Sequence, residues 1–300
     1  MFTPPEQEVR MSELLFQSLY SGLLAGSVYA LLALGLALVF GIMRLVNLAH
    51  GELVLLAGYI AYTFESSTGF GPLWSIPLAF IVVCATAIGI YMLLSRIKID
   101  RELNSLLLTY GIAVILTNLI LLIWNANIRS SSSVWLQEPI VIGDLYAMNG
   151  ELVAFVMSLI LLVALWKWLA SSWYGRAVRA VSSHREASML MGINPKQTEM
   201  ISFLLAGMMA SVAGVAIYCT RVLQPALGES LTIKAFIITV LAGIGSIPGV
   251  LIGAIVIGIA EAMSATLFNP AWQDLVSMGL FLLVLFLRPN GLFGAARRQG

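Results

Sequence analysis

Charged side chains are scarce in this sequence of 300 residues: Asp, Glu, Lys and Arg together make up only 10% of it. Hydrophobic residues make up 60%, and the mean hydropathy is +0.95. A soluble globular protein of this length needs far more polar side chains to cover its surface. The composition therefore excludes a soluble protein and predicts a chain that crosses a membrane several times.

The sequence also has little that could carry catalysis or hold a cofactor. Its two cysteines, Cys84 and Cys219, both lie in apolar runs, where a disulfide framework is not expected. The net charge of +1 provides no basic surface for nucleic acid. Neither G-x-S-x-G, H-E-x-x-H, C-x-x-C nor a G-x-x-x-x-G-K-[ST] phosphate loop occurs. We therefore expect no enzymatic activity, no cofactor and no metal site, and the chain cannot hydrolyse ATP by itself.

Apolar segments follow one another along nearly the whole chain. A membrane-spanning helix needs roughly 20 residues to cross about 30 Å of hydrocarbon. Most segments are long enough, but 50–64 and 232–245 are short, and they adjoin the turn-prone junctions VNLAHG and GIGSIPG. We predict an all-α polytopic membrane protein with about eight to nine apolar segments, including short broken or re-entrant helices and possible inverted repeats. The segments are 14–41, 50–64, 74–94, 103–124, 152–170, 199–219, 232–245, 249–268 and 272–287.

The polar ends of the chain and its apolar body predict three parts. These are an N-terminal tail at 1–13, a transmembrane domain at 14–288 that includes a polar loop at 171–198, and a C-terminal tail at 289–300. Small residues four positions apart let helix backbones approach closely in lipid, so they predict a compact helix bundle. The pairs are Gly22 with Gly26, Ala210 with Gly214, and Gly249 with Gly253.

Lys and Arg are distributed unevenly between the two predicted sides of the membrane. If all nine segments cross and the C-terminus is cytoplasmic, eleven of these residues lie inside and three outside. An excess of positive charge in the inner loops is the general rule, so we predict that the C-terminus and the loop at 171–198 face the cytoplasm. If both short segments are re-entrant instead, the sides assigned to 95–198 do not change. The inner residues are Arg44, Arg96, Lys98, Arg101, Arg176, Arg179, Arg185, Lys196, Arg288, Arg297 and Arg298, and the outer ones are Arg10, Arg129 and Arg221.

Four polar residues at membrane depth are candidates for a translocation pathway: Asn47, His50, Glu52 and Glu261. A charge at the bilayer centre costs roughly 2.5–3.5 kcal/mol on insertion scales, so an intramembrane carboxylate is a functional candidate. Glu261 could line the pathway or be paired within the bundle. Asn47 could cap the short helix that follows it, and Glu52 would suit the first turn of that helix. The stretch 44–58 is therefore a helix start, a pathway lining or both.

The loop at 171–198 differs in kind from the rest of the chain. It alternates basic and apolar residues at helical spacing, and Gly192 and Pro195 end the pattern. This loop is too polar to span the membrane. It could lie on anionic lipid, or it could bind a soluble partner.

Three stretches carry a resemblance to a known family. They are GSVYALLALGLALVFGIMRLVNLAHGELVLLAGY, GRAVRAVSSHREASMLMGIN, and KAFIITVLAGIGSIPGVLIGAIVIGIAEAM together with RPNGLFG. The chain resembles the permease subunits of branched-chain amino acid ABC transporters over nearly its whole length. The N-x-A-H-G-E motif is shared with urea permeases of that family, and Ala242 stands where the second motif begins with glycine.

The resemblance implies an inner-membrane importer subunit that translocates branched-chain or other neutral amino acids from the periplasm to the cytoplasm. It implies a second permease subunit, two cytoplasmic ATPase subunits and a periplasmic solute-binding protein as partners, and no nucleic acid. A urea or amide permease of the same family and an ion-coupled secondary transporter are the alternatives. The loop at 171–198 would dock on the ATPase, and the positions carried over are Gly175, Arg176, Arg179, Ala187 and Gly192.

Overall fold

A computed structural model of the chain describes residues 4–143, 145–243, 246–288 and 291–293. Among these residues, seven helical stretches are long and apolar enough to cross a membrane, by length and composition. The prediction of an all-α polytopic membrane protein is confirmed. Short 3-10 turns at Pro72–Ser75 and Pro270–Trp272 precede two of the helices. The elements are α1 (Pro4–Met43), α2 (His50–Thr68), α3 (Ile76–Leu94), α4 (Arg101–Trp124), α5 (Val134–Gln137), β1 (Pro139–Ile142), β2 (Leu145–Met148), α6 (Asn149–Ser171), α7 (Trp173–Ser183), α8 (Arg185–Leu190), α9 (Pro195–Thr220), α10 (Leu227–Ala242), α11 (Ile247–Leu267) and α12 (Gln273–Leu287).

The structure describes most of the predicted N-terminal tail and only a small part of the predicted C-terminal tail. Helix α1 begins at Pro4, so the predicted tail at 1–13 is helical from that residue onward. Two consecutive prolines suit a helix start, because the first turn has N–H groups without intrahelical partners, and the following Glu and Gln residues are good helix formers. The predicted tail at 289–300 lies outside the described residues except for 291–293.

The helices run between two ends of one bundle. At the first end, which we call the hairpin end, Gln17 near the start of α1 donates a hydrogen bond to the carbonyl of Tyr146 in β2 at 2.8 Å. At the second end, the α7 end, the hydroxyl of Tyr174 in α7 donates to the carbonyl of Thr198 in α9 at 2.6 Å. Helices α1 and α6 therefore begin at the hairpin end, and α9 begins at the α7 end and runs the opposite way.

Helix α1 forms the centre of the bundle, where residues 30–34 are at most 1% exposed. Its contact with α11 depends on glycine: a Cβ on Gly22 would lie 2.5 Å from the Cα of Ile259, and one on Gly26 would lie 2.8 Å from the Cα of Ile255. Lipid tails are as apolar as leucine, so close backbone packing provides much of the drive for helix association. The predicted role of this glycine pair in helix packing is confirmed.

The chain after α1 crosses the bundle as a broken helix. Residues 44–49 return from the α7 end in an irregular conformation, and α2 begins at His50. The Nε2 atom of His50 donates to the carbonyl of Leu32 at 2.9 Å. That carbonyl lies about 16 Å along α1 from the α7 end, so α2 starts deep inside the bundle. Helix α2 then reaches the hairpin end, where Glu65 accepts a hydrogen bond from Ser131 at 2.9 Å.

The chain after α9 crosses in the opposite direction and in the same broken manner. Residues 221–226 return from the hairpin end, and α10 begins at Leu227. Near the α7 end, the backbone N–H of Leu292 donates to the carbonyl of Leu241 at 2.8 Å, which fixes the last turn of α10. The second short segment, predicted at 232–245, thus begins five residues earlier than expected. Together with the seven long stretches, nine segments of the described chain cross the bundle.

Candidate functional site

Asn47 lies in the irregular stretch before α2 and is buried. Its Oδ1 accepts a hydrogen bond from the backbone N–H of Ala49 at 3.1 Å. The residue that caps α2 is Ala49 itself, and no side chain caps this helix. The expectation that Asn47 caps α2 is therefore wrong: the helix begins two residues too late, and the Asn47 amide closes the turn that precedes it.

The first turns of α2 and α10 meet inside the bundle. The backbone N–H of Gly51 donates to the Thr232 hydroxyl at 2.8 Å, and that hydroxyl lies 3.2 Å from the carbonyl of Leu48. A Cβ on Gly51 would overlap the carbonyl oxygen of Gly228, and a Cβ on Gly228 would overlap the carboxyl group of Glu52. Gly51 is therefore required for this contact, and Gly228 leaves the space that the Glu52 carboxyl group occupies; we call the contact the α2–α10 junction.

Glu52 lies at the α2–α10 junction and is 3% exposed. It occupies the first turn of α2 and packs against the first turn of α10, so the positive ends of two helix dipoles face its carboxyl group. The Oε2 atom of Glu52 has no hydrogen-bond partner among the described residues. The two helix ends account for a carboxyl group at this depth, and the predicted pathway role of Glu52 stays a prediction.

An internal repeat underlies this junction; inverted repeats were predicted from the sequence, but these two stretches were not recognised as the copies. The stretch RLVNLAHGE at 44–52 matches RVLQPALGE at 221–229: Arg, Ala, Gly and Glu recur at equivalent positions, and Asn aligns with Gln. Each copy follows a long helix and ends in the first turn of a short one. Because α1 and α9 run in opposite directions, the two copies form an inverted pair. The signal was present in the sequence, and a self-comparison of the chain would have found it.

Glu261 lies toward the hairpin end and is buried in a charged cluster. The Nζ atom of Lys234 lies 2.9 Å from Oε1 and 3.0 Å from Oε2 of this carboxylate. The hydroxyls of Tyr29, at 2.9 Å, and of Ser277 also donate to it. These contacts fill most of the acceptor capacity of the carboxylate, which favours the paired structural role over the pathway role. Lys234 and Glu261 are 27 positions apart on two helices, so no sequence spacing could have paired them.

The segment predicted to dock on a partner forms α7 and α8 at the α7 end. Gly175 packs so closely on the end of α6 that a Cβ there would overlap the carbonyl oxygen of Leu169. Arg179 donates to that same carbonyl at 3.0 Å, and Arg176 donates to the carbonyl of Ser171 at 3.3 Å. Both exposed arginines thus bind carbonyl groups at the end of α6, where the helix dipole favours cations. Part of the predicted basic face holds α7 on α6.

The tip of this segment exposes apolar side chains. Leu190 is 89% exposed and Met191 is 83% exposed, and Ala187 lies on the same exposed helix α8. Gly192 follows α8 with a φ of +80°, a left-handed conformation that glycine adopts without strain. The tip therefore presents an exposed apolar surface at the α7 end, which is the end of the bundle that carries most of the basic residues.

One buried carboxylate links the α7–α8 segment to the membrane helices, and the sequence did not predict this link. Glu199 in α9 is 2% exposed, and its two oxygens bind Arg185 of α8 at 3.0 Å and Arg101 of α4 at 3.5 Å. Beside it, burial raises the pKa of Tyr174 to about 12, so the hydroxyl stays protonated and donates to the carbonyl of Thr198. Movement of α8 can therefore be transmitted to α4 and α9.

Comparison with known proteins identifies the family. The family model described as branched-chain amino acid transport system, permease component, matches residues 18–285. The high-affinity branched-chain amino acid transport system permease protein BraD of Pseudomonas aeruginosa is 32% identical, over 93% of this chain and 95% of its own length. The corresponding protein LivH of Escherichia coli is 29% identical, with the same shares covered.

A solved structure supports the fold. A chain of PsaBC from Streptococcus pneumoniae in complex with Fab superimposes with a TM-score of 0.51 and 11% sequence identity, covering 91% of this chain and 93% of that one. At such low identity the likeness concerns the fold alone. The family model and the relatives, which cover nearly the whole chain, go further. The chain belongs to the family of permease components of branched-chain amino acid transport systems.

Proposed function

We propose that this chain is the permease subunit of an ABC importer that carries branched-chain or other neutral amino acids into the cytoplasm. Separate ATPase subunits would supply the energy, a second permease subunit would complete the membrane unit, and a solute-binding protein would deliver the substrate from outside. The observation that carries the proposal is the α7–α8 segment, because its exposed apolar tip and basic neighbours give a soluble partner a surface to bind. A transporter that works alone has no need of such a surface.

The orientation follows from the charges at the two ends of the bundle. Arg129 and Arg221 lie at the hairpin end, whereas the basic residues that flank α3, α4, α7, α8 and α9 lie at the α7 end. By the positive-inside rule the α7 end faces the cytoplasm and the hairpin end faces outward. Cysteine labelling of intact cells tests this orientation in a variant without the two native cysteines. Val134→Cys should react with an impermeant reagent, and reaction at Ser183→Cys would overturn the assignment.

The α2–α10 junction is the proposed closure between the two sides. Residues 44–49 and 221–226 reach it from opposite ends, and its glycines leave no space between the helix starts. Asn47, His50 and Glu52 would then act by holding the two helix starts in place. Rocking of the two broken helices against each other, driven by the ATPases through α7 and α8, would open the junction alternately to each side.

Reconstitution tests the proposed function directly. Proteoliposomes that contain this chain, its co-purifying permease and ATPase subunits and the binding protein should take up labelled leucine when ATP is present on the ATPase side. Omission of the ATPases should abolish uptake. Labelled urea in the same vesicles tests the urea alternative, and uptake by this chain alone, driven by an ion gradient, would establish the secondary-transporter alternative and refute the proposal.

A substitution at the tip tests the docking surface more cleanly than charge reversal of Arg176 and Arg179, because both arginines also bind carbonyls of α6. Leu190→Asp should leave the fold intact, since the side chain is 89% exposed. Apolar anchors at an interface often contribute 2 kcal/mol or more, so ATPase co-purification should fall at least about tenfold. Val134→Asp, at an exposed aliphatic position of the hairpin end, is the control. Full co-purification with the Leu190 variant would remove α8 from the docking role and favour a lipid-surface role.

A further inference from the structure

A cavity of about 230 Å³ opens among α1, α6, α9, α10 and α12 at the hairpin end of the bundle. This volume is smaller than the roughly 300–1,000 Å³ of pockets for drug-sized ligands, so the cavity suits a small solute. It lies beside the Lys234–Glu261 pair and within a single subunit. Its lining combines charges of both signs with an apolar wall.

Arg221 is the cation of this cavity that lacks an acidic partner. No carboxylate of the described residues lies within 4 Å of its guanidinium, whose central carbon stands 5.4 Å from the centre of the Tyr29 ring. Lys234, which lies 4.7 Å from the centre of the same ring, is already neutralised by Glu261 and Asp274. Arg221 interacts with the Tyr29 hydroxyl and is attracted by Glu261 and Glu151 from a longer distance, but it forms no direct ion pair among the described residues. Its guanidinium can therefore bind a carboxylate with two parallel hydrogen bonds.

Glu151 supplies the opposite charge. It lies in the first turn of α6, and its Oε2 accepts a hydrogen bond from the backbone N–H of Met148 at 3.1 Å. No Lys or Arg of the described residues lies within 4 Å of this carboxylate. The cavity thus contains one guanidinium and one carboxylate that attract each other across it and that form no direct ion pair within the described part of the chain.

One side of the cavity is apolar and fixed in shape, whereas Thr220, Ser230, Gln273 and Asp274 make the other side polar. Leu24 and Val28 of α1, Ile217 of α9 and Leu231 of α10 line the cavity, and all four are at most 8% exposed. Their contacts with the bundle hold them in place, so the wall is formed before a ligand arrives. An aliphatic side chain of a solute would be removed from water there, which stabilises the complex by about 25 cal/mol per Å² of apolar area.

We propose that this cavity binds a free amino acid with an aliphatic side chain, with its carboxylate on Arg221, its ammonium group near Glu151 and its side chain on the apolar wall. The inference rests on the proposed function and adds to it a binding site inside one subunit, on the outer side of the α2–α10 junction. A solute released from a binding protein would be held there, with both charges matched, before the junction opens.

Binding to the native permease–ATPase complex, without the binding protein, tests the site with three probes. L-Leucine carries both charges, L-leucinamide lacks the carboxylate, and 4-methylpentanoate lacks the ammonium group. Competition with labelled leucine should rank L-leucine first, with the other two at least about tenfold weaker, because each loses one charge-assisted interaction. Equal competition by leucinamide, or the absence of saturable leucine binding, would overturn the proposal.

Variants assign the two charges to their residues. Arg221→Gln should weaken L-leucine binding about tenfold to a hundredfold and leave leucinamide unchanged, whereas Glu151→Gln should weaken L-leucine and leave 4-methylpentanoate unchanged. Arg129→Gln removes a cation of the same end that stacks on Tyr62 outside the cavity, and it is the matched control. Unchanged leucine binding in the Arg221 variant would refute the site.

The uptake assay separates this inference from the proposed function. If the native complex takes up leucine with ATP and the Arg221 and Glu151 variants do so equally well, the site is wrong and the function stands. If the native complex does not transport leucine at all, the proposed function fails first. If Arg221→Gln fails to assemble, the ranking of the three probes on the native complex still tests the site. Arg221→Lys is the second variant, because it keeps the charge and loses the two parallel hydrogen bonds.

Discussion

Removal of Lys234 should destabilise the protein strongly, because it leaves the Glu261 carboxylate buried without its cation. The ammonium group lies 2.9 Å and 3.0 Å from the two oxygens, and the side chains are 12% and 4% exposed. Loss of one partner of a buried pair costs roughly 3–5 kcal/mol. The hydroxyls of Tyr29 and Ser277 remain as donors, so we expect Lys234→Met to lower the free energy of unfolding by about 3 kcal/mol, the lower limit of that range.

The double variant Lys234→Met, Glu261→Gln should recover most of this loss. Glutamine keeps an acceptor for the two hydroxyls and carries no charge, so replacement of both partners is far less costly than removal of one. The assay is a double-mutant cycle on the detergent-solubilised protein, with unfolding followed by titration with SDS. Lys167→Met, at an exposed position near the end of α6, should change the stability by less than about 0.5 kcal/mol and is the control.

The result that would refute this reasoning is a coupling energy below about 0.5 kcal/mol between the two positions, which is the level of independent sites. The folded double variant also separates the two roles open to Glu261. If it transports leucine normally, the carboxylate is structural. If it assembles with its partners and does not transport, the carboxylate belongs to the pathway, and the contacts at 2.9–3.0 Å describe only one state of the transport cycle.

Three further predictions concern the glycine contacts and the segment at the α7 end. Gly22→Val should abolish monodisperse folding, checked by size-exclusion chromatography, because its Cβ would lie 2.5 Å from backbone of α11. Gly228→Ala should reduce uptake sharply at normal expression, whereas Gly89→Ala, where a Cβ meets nothing within 4 Å, should leave folding and uptake unchanged. Glu199→Gln should weaken the bond to Arg185 by about 1–2 kcal/mol, so backbone hydrogen exchange in α8 should become faster. Unchanged exchange would contradict the proposed link between α8 and the membrane helices.

The sequence was sufficient for the membrane class and for most helices, because hydropathy over about 20 residues reports directly on the surrounding lipid. It was less accurate where a helix is short and broken. Helix α10 begins at Leu227 and not at 232, because its first turn packs through Gly228 against the start of α2, and the exposed polar residues Glu229 and Ser230 lower the hydropathy there. The periodicity of hydrophobic residues reports which face of a single helix is apolar, so it cannot predict a contact between the ends of two helices.

Sequence patterns could not predict the side-chain pairs of the candidate site, because these pairs depend on how different helices pack. The sequence predicts Glu261 at membrane depth, but its pairing with Lys234 depends on how α10 and α11 pack. Glu199 was missed because its position near the start of α9 resembles an ordinary charged helix start, and only the structure brings two arginines to it. The glycine pair on α1 could be interpreted from sequence because its four-residue spacing is itself the geometric requirement.

The internal repeat explains why polar residues occur in the otherwise apolar stretch 44–52. A junction between two helix starts needs a glycine in each, so that the backbones can touch, and a carboxylate suits the positive end of each dipole. The copy at 221–229 has both features. His50 is the main departure, since Leu227 replaces it, and its ring donates to the carbonyl of Leu32 at 2.9 Å.

This difference between the copies has a mechanical consequence. His50 attaches the start of α2 to α1, and a Cβ on Gly35 would lie 2.8 Å from the imidazole ring, so the ring packs directly on the backbone of α1. Leucine at the equivalent position of α10 cannot donate a hydrogen bond to a carbonyl. The first turn of α10 therefore lacks the attachment that His50 gives to α2, and α10 is held instead further along, where Lys234 binds Glu261 of α11. In the proposed opening of the junction, α2 would stay attached to α1 through His50 and α10 would stay attached to α11 through Lys234, and α10 is also the helix that borders the cavity with Arg221.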